Sequence, residues 1–437
     1  MKRFIYVFMV LALMTGSCKK TIPVADNTVT DAEARDTLFY IMKQWYYWYD
    51  KAPATTITTD NKADYSDPYK LLEAMRYSTL DRWSFVADYD AFNAEMEGTF
   101  VGHGIRIGLD ADSLARIAMI YNNSPLHISG VRRGWIIKKV NGRDLATILK
   151  TKNDTAYSNV MGPSTAGYQN TFLFHRPDGK DTTITSAKST FTINSVLVYD
   201  TLHLITGAVA GHLVFESFIA PSEDELKTAF AYFKSQNVTR FILDLRYNSG
   251  GYLNIAQQLA SYLGGSGLTG TTFAKLSYNA KMQAANTTFN FITTASPLSL
   301  TDVVVITTRL TASASEAVMN GLIPHMTVVS IGDTTNGKPV GMNGWPCGKK
   351  YWFWPITFKL VNSANSGDYF SGFAPDKLAV DDITHDFSNR NETCLKEALH
   401  YLETGSFTAG KGSEYFNRNI VFGEKPEWMN NLFIREK

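Results

Sequence analysis

Residues 310–338 constrain this chain more than any other stretch. Asp302-Val-Val-Val-Ile-Thr307 is a β-branched run too short for a helix, and Leu310-Thr-Ala-Ser313-Ala-Ser-Glu316 leads into an apolar helical stretch with Ala317, Val318, Met319 and Leu322. Ser313 therefore falls on a strand-to-helix turn. Free N–H groups and the positive dipole end of the helix favour a developing negative charge there. A second apolar run, 327–331, then delivers Gly337-Lys338 on a loop 25 residues after the serine. Taken alone, Ser313 and Glu316 read as a capping box; a nucleophile needs further context.

That context comes from a second strand-turn-helix unit. Arg240-Phe-Ile-Leu-Asp244-Leu-Arg246 reads as a strand, followed by Tyr247-Asn-Ser-Gly-Gly251 and a helix to Leu263. The glycines do not form a phosphate loop, because neither Gly-x-Gly-x-x-Gly nor Gly-x-x-x-x-Gly-Lys-Ser/Thr is present. Asp244-Leu-Arg-x-Asn-x-Gly-Gly251, Ser313-Ala-Ser-Glu316, Gly337-Lys338 and Gly372-x-x-Pro-Asp376, in that order, resemble the carboxyl-terminal processing proteases. These are the tail-specific serine peptidases of family S41, with a Ser-Lys dyad. The resemblance implies Ser313 as nucleophile, Lys338 as base, and the backbone N–H groups of Gly251 and Ala314 as the oxyanion hole. Ser315 is the fallback nucleophile. Asp244 and Arg246 read as a structural ion pair, and Asn248 as a brace of the turn.

The dyad makes a physical demand on the lysine. Its pKa must fall from ~10.4 to ~7–8, roughly 4 kcal/mol, which burial in an apolar pocket can supply. Val340, Met342, Trp345 and Tyr351-Trp-Phe-Trp354 are near enough in sequence to wall such a pocket. Many members of the family place a glutamine four residues after the lysine. This chain has Met342 there and Asn343 next, so these two are the candidates for orienting Lys338. His325 and His212 offer a Ser-His-Asp alternative that no motif singles out.

Upstream, 97–196 reads as a β-rich module. Gly104-Ile-Arg-Ile107 is a short strand after glycines, 117–121 another, Ser124-Pro125 opens a turn, and Gly134-Trp-Ile-Ile-Lys-Lys-Val-Asn-Gly142 is a strand ending in an Asn-Gly turn. The order resembles a PDZ domain, with Leu126 and Trp135 as departures. It implies that a peptide adds as an extra strand and that its carboxylate is caught at Gly104, Ile105, Arg106 and Ile107. The alternative is a β-rich domain that binds nothing.

The first 18 residues carry Lys2 and Arg3, an apolar stretch over 4–14, and Thr15-Gly-Ser-Cys18. The stretch is too short to span a bilayer and suits a signal peptide. Cys18 resembles a lipobox cysteine, which would carry the lipid anchor; the alternative is a soluble secreted protein. Helical spacing recurs over 32–48 (Leu38, Phe39, Ile41, Met42, Trp45) and 68–77. The aromatic stripe Trp45-Tyr-Tyr-Trp48 is expected to pack against a neighbouring domain. A net charge of +1 with no basic stripe argues against a nucleic-acid partner. Cys347 and Cys394 either pair as a disulfide or stay separate buried thiols. No cysteine or histidine spacing suggests zinc, and no metal or cofactor is expected.

The expectation is thus a multidomain α/β protein. It has a signal peptide (1–18), a tether and N-terminal helical region (19–96), a PDZ-like domain (97–196), an α/β (ClpP/crotonase-like) peptidase core (197–405) and an extension of unassigned role (406–437). The function expected is an exported, lipid-anchored serine endopeptidase in the cell envelope, periplasmic or surface-exposed, acting on proteins or peptides with exposed C-terminal tails. Two alternatives stay open: a catalytically weakened peptide-binding scaffold, and a carrier of an apolar ligand.

Overall fold

The computed structural model describes residues 29–151 and 154–409, with two short strands at Phe422–Gly423 and Ile434–Arg435. The expected signal peptide with Cys18, and most of 406–437, lie outside the described residues.

A six-stranded sheet positions everything that follows. Its order is Val196–His203, Val209–Phe215, Arg240–Asp244, Asp302–Thr307, Thr327–Gly332 and Lys377–Leu378, antiparallel in the first pair and parallel thereafter. Parallel strands are buried on both faces and so need unbroken apolar runs, which Phe241-Ile-Leu243 and Val303-Val-Val-Ile306 supply. Alternate residues go to opposite sides. Leu243, Val303 and Val305 join the larger core under the helices Ser222–Ser235, Leu253–Gly264 and Ala314–Leu322. Ile242, Val304 and Ile306 meet Leu395, Ala398 and Leu399 of the helix Thr393–Thr404. The parallel strands share one direction, so the turns 245–251, 308–313 and 333–338 all emerge at their carboxyl ends, where ligands of open α/β sheets bind.

Simple strand-helix alternation does not describe the whole core. A second sheet runs Gly251–Tyr252, Ile434–Arg435, Val340–Met342, Ile356–Val361, Thr272–Tyr278, Thr287–Asn290, and a third joins Phe85–Asp88 to Tyr351–Trp354 and Trp345–Cys347. The N-terminal helices Asp31–Trp45 and Pro68–Met75 are capped by Thr30, with Glu33 completing a capping box, and by Asp67. They bury Leu38, Met42, Leu71 and Met75 in the same cluster as the core helices. The aromatic stripe packs inward as expected: Trp45 stands against Tyr278 and Trp345, and Tyr46 and Trp48 are buried.

The β-rich module has its own core of Ile107, Ile117, Leu126, Val140, Phe172 and Phe174. Ile105–Leu109, Ala115–Ile120, Ile136–Val140, Gln169–His175 and Asp181–Ala187 form its antiparallel sheet. Asn141 and Gly142, at φ 50° and 80°, make the two-residue hairpin turn.

Of the two alternatives for the cysteines, a disulfide or separate buried thiols, the structure shows the second. Cys347 and Cys394 are both free and buried. Cys347 sits in a strand within the larger cluster and Cys394 in the last helix within the smaller one, so the two thiols belong to different cores.

Candidate active site

Ser313 is the residue before the helix Ala314–Leu322, at φ 59° and ψ −114°. A positive φ is uncommon for a residue with a side chain. Its consequence is that the hydroxyl does not cap the helix: Oγ is fully buried and has no hydrogen-bond partner among the described residues. Only the other half of the capping box does work, with Ser313 N–H donating to the Glu316 carboxylate at 2.9 Å.

The glycine turn presses directly on this serine. A Cβ at Gly250, where φ is 107°, would stand 2.7 Å from Ser313 Cβ and 3.1 Å from both Ser313 Oγ and Ala314 N. Only glycine leaves that space open. Asn248 joins the two turns: its Oδ1 accepts from Gly250 N–H at 2.9 Å, its Nδ2 donates to Phe215 O at 2.9 Å, and its carbonyl accepts from Ala312 N–H at 3.1 Å. The same carbonyl accepts from Ser315 Oγ at 3.0 Å, so the fallback nucleophile is a brace. With Gly250 N–H engaged by Asn248, Gly251 is left as the oxyanion donor to consider on this turn, and Ala314 N–H lies at the helix start against Gly250.

Lys338 is 0% exposed. Its Nζ lies 3.7 Å from Met342 Sδ, and among the described residues no carboxylate comes within ion-pair distance of it. Burial pushes its pKa well below the ordinary lysine value, against weaker opposing pulls from Asp81 and Glu316. Of the two candidates for orienting the amine, Met342 is at the nitrogen. Asn343 is not: its Oδ1 accepts from Thr357 Oγ1 at 2.8 Å and its N–H donates to the same hydroxyl at 3.1 Å.

Sequence reasoning took Glu316 for a capping residue and missed its larger role. One buried carboxylate takes four donors: Ser313 N–H at 2.9 Å and Lys338 N–H at 2.8 Å on Oε2, Gly337 N–H and Thr335 Oγ1 at 2.6 Å each on Oε1. Glu316 thus fastens the serine turn to the lysine loop. Burial pushes its carboxyl up, and the hydrogen bonds from Thr335, Lys338, Gly337 and Ser313 oppose that rise. The only available signal was the pairing of an acidic residue three after the serine with a Gly-Lys loop. Asp81 was likewise unforeseen. It accepts from Tyr46 Oη at 2.7 Å and from the N–H groups of Trp83 and Ser84 at 3.0 and 2.9 Å, bringing the N-terminal region into the electrostatics of Lys338.

Neither histidine joins this arrangement. His325 Nε2 faces Thr272 O at 3.4 Å and Ser363 Oγ at 3.3 Å, and His212 is buried in a sheet strand with both ring nitrogens unpartnered among the described residues. Asp244 and Arg246 do form an ion pair, at 2.7 Å.

In the β-rich module, Gly104 takes φ 71°, and a Cβ there would meet Ser124 Cβ at 2.3 Å. Ile105 and Ile107 point into the module's core. The Arg106 side chain crosses to the core region, bonding the Glu216 carboxylate and, at 3.2 Å, the carbonyl of Tyr247. The guanidinium, expected from the sequence to help catch a peptide carboxylate, is engaged inside the protein.

Comparison with known proteins bears on the family and the fold. The model of peptidase family S41 matches residues 210–376, and that of the peptidase S41 N-terminal domain matches residues 33–85. The carboxyl-terminal-processing protease of a Picosynechococcus strain is 23% identical over 251 residues, 57% of each chain, so the match spans little more than half of that relative. The carboxy-terminal processing protease CtpB of Bacillus subtilis is 22% identical over 382 residues, covering 81% of this chain and 74% of that protein. The fold is similar to the crystal structure of a putative S41 protease from Bacteroides fragilis, with a TM-score of 0.68, 23% identity, and coverage of 85% of this chain and 97% of that one.

Proposed function

The chain belongs to peptidase family S41, and from that premise we propose that it is an exported serine endopeptidase in which Ser313 and Lys338 form the catalytic dyad. The observation that carries this reading is that, among the described residues, a buried serine hydroxyl without a partner and a buried lysine amine without a carboxylate stand on two turns joined by Glu316.

Each group has a definite task. A neutral Lys338 amine takes the proton of Ser313 Oγ as the oxygen attacks a peptide carbonyl. The carbonyl oxygen becomes an oxyanion held by the backbone N–H groups of Gly251 and Ala314, which need no reorganisation because the turn and the helix start fix them. Lys338 then gives the proton to the leaving amine. Water, deprotonated by the same lysine, attacks the acyl-enzyme and restores Ser313. Among the described residues no carboxylate pairs with the amine, so burial outweighs the weaker pulls of Asp81 and Glu316 and favours its neutral, proton-accepting form.

The β-rich module is read as PDZ-like, presenting the backbone of 104–107 to unstructured C-terminal tails, as the names of the processing-protease relatives suggest for their own substrates. The leader and Cys18 support export with a lipid anchor in the cell envelope. A serine-directed fluorophosphonate tests the centre. Labelling of the chain lacking residues 1–18 should vanish in Ser313→Ala and in Lys338→Ala; labelling that survives Ser313→Ala would mean another serine is the nucleophile.

A further inference from the structure

In the second sheet, Ile434–Arg435 lies between Gly251–Tyr252 and Val340–Met342 and is parallel to both. The register sets Ile434 against Gly251, and Arg435 against both Tyr252 and Met342. One wall of this slot is therefore the glycine assigned to the oxyanion hole, and the other is the strand whose methionine touches Lys338 Nζ. Neighbouring strands stand about 4.8 Å apart, so walls separated by one strand are roughly 10 Å apart, the width of one extended peptide. A second piece of the same segment, Phe422–Gly423, pairs antiparallel with Ile107 and Arg106 on the strand Ile105–Leu109, the stretch assigned to tail recognition.

We propose that the slot between Gly251–Tyr252 and Val340–Met342 is a strand-addition site for an extended peptide, and that this chain's own Ile434–Arg435 is its resident occupant, held in cis by Phe422–Gly423 on the module's edge. The proposal rests on the reading of Ser313 and Lys338 as a peptidase centre. It accounts for an observation that reading leaves over: Ser313, Ala314 and Lys338 are all 0% exposed, so a substrate carbonyl reaches the hydroxyl only after something moves. Backbone ladders recognise any extended chain, so a segment of the protein itself competes with substrate on equal chemistry. A tethered competitor acts at a high effective concentration, about millimolar for a short flexible linker, and an incoming tail must displace it. Two separate edges filled by one segment also mean that a tail captured on the module's edge removes one of the two holds on the occupant. Recognition at one edge would thereby promote opening at the other.

The test uses the chain lacking residues 1–18, the same chain ended at residue 423, and the full-length double variant Ile434→Pro/Arg435→Pro, which withdraws two N–H donors from the ladder. Three readouts are taken: amide exchange at residues 251–252 and 340–342, the rate of fluorophosphonate labelling, and the effect of a synthetic peptide of residues 428–437. Loss of the occupant should raise exchange at both walls and speed labelling about tenfold, in line with losing ladder hydrogen bonds. The added peptide should reverse both. If the chain ended at 423 does not fold, the proline variant alone decides. Unchanged exchange in the folded variants overturns the proposal, and so does labelling that stays equal while exchange rises. If no form labels but wall exchange rises and the peptide reverses it, the strand-addition site stands and the peptidase reading falls.

Discussion

Two cations lie buried at the carboxyl end of the same parallel sheet, and they have opposite chemistry. Arg246 is held by Asp244 at 2.7 Å and by Asp381 and Glu392 at 2.8 Å each; burial works against its charge, but these carboxylates raise its pKa well above the ordinary value. Lys338 faces a methionine sulfur at 3.7 Å, and burial drives its pKa well down. Burial is common to both, so pairing decides. A planar guanidinium held by several carboxylates is a fixed strut, while a buried amine denied such a partner is driven towards its neutral form, the form the proposed base requires. The strut has a purpose for the reagent: Arg246 anchors the turn whose next residues carry Asn248, Gly250 and Gly251.

The sharpest way to break this contrast is to replace both cations by methionine. Lys338→Met should lower kcat by up to about 10⁴-fold, the upper range for losing a general base, while leaving the thermal midpoint unchanged or higher, because an apolar chain fills an apolar pocket. Arg246→Met should instead destabilise the fold by about 3–5 kcal/mol, since Asp244 and Glu392, both fully buried, lose their ion-pair partner while Asp381 keeps Arg133. Denaturant midpoints and single-turnover rates on the same samples separate the two. Equal loss of stability in both variants would refute the division into strut and reagent.

The pH dependence sharpens it further. Lys338 binds its proton more weakly in the folded chain than in the unfolded one, so the unfolded state holds more protons over the window from the lowered pKa up to about 10.4. Stability contributed by this group therefore rises with pH across that window and falls as pH drops through it. Catalysis needs the neutral amine and should lose about tenfold per pH unit below the lowered pKa. Lys338→Met should flatten the stability profile. A kcat/KM that stays level down to pH 5 would point to a different base.

Glu316 tests the fastening between the two turns. In Glu316→Gln an amide N–H₂ must face one pair of the four donors that the carboxylate accepts, so kcat should fall by about 10–100-fold, with KM nearly unchanged and Glu316→Asp recovering part of the loss. An effect confined to KM would mean that Glu316 shapes the substrate pocket and not the dyad.

What the sequence made legible follows from how local the signals are. The β-branched run at 302–307, the strand-to-helix serine and the Gly-Lys loop are each read within a few residues, and the structure assembles them at one sheet end. Partners chosen over long separations were not legible. Nothing near Asn343 announces that Thr357 takes its side chain, nothing near Arg106 announces Glu216, 110 residues on, and the second sheet pairs Val340–Met342 with Ile356–Val361 and Ile434–Arg435. The choice between a disulfide and two separate thiols was illegible for the same reason, because only the packing assigns Cys347 and Cys394 to separate cores.

The smallest effect separates two serines that sequence could not. Ser313 Oγ has no hydrogen-bond partner among the described residues, whereas Ser315 Oγ donates to Asn248 O at 3.0 Å. A hydroxyl engaged in a buried hydrogen bond contributes about 1 kcal/mol and has no proton to offer a base. Ser315→Ala should therefore lower stability by about 0.5–1.5 kcal/mol and leave fluorophosphonate labelling within about threefold of the parent, the change arising from slack in the Asn248 tie. Ser313→Ala should do the reverse, abolishing labelling with little change in stability, because it removes no hydrogen bond. Labelling lost in Ser315→Ala but kept in Ser313→Ala would exchange their roles and make the positive φ at Ser313 a feature of packing alone.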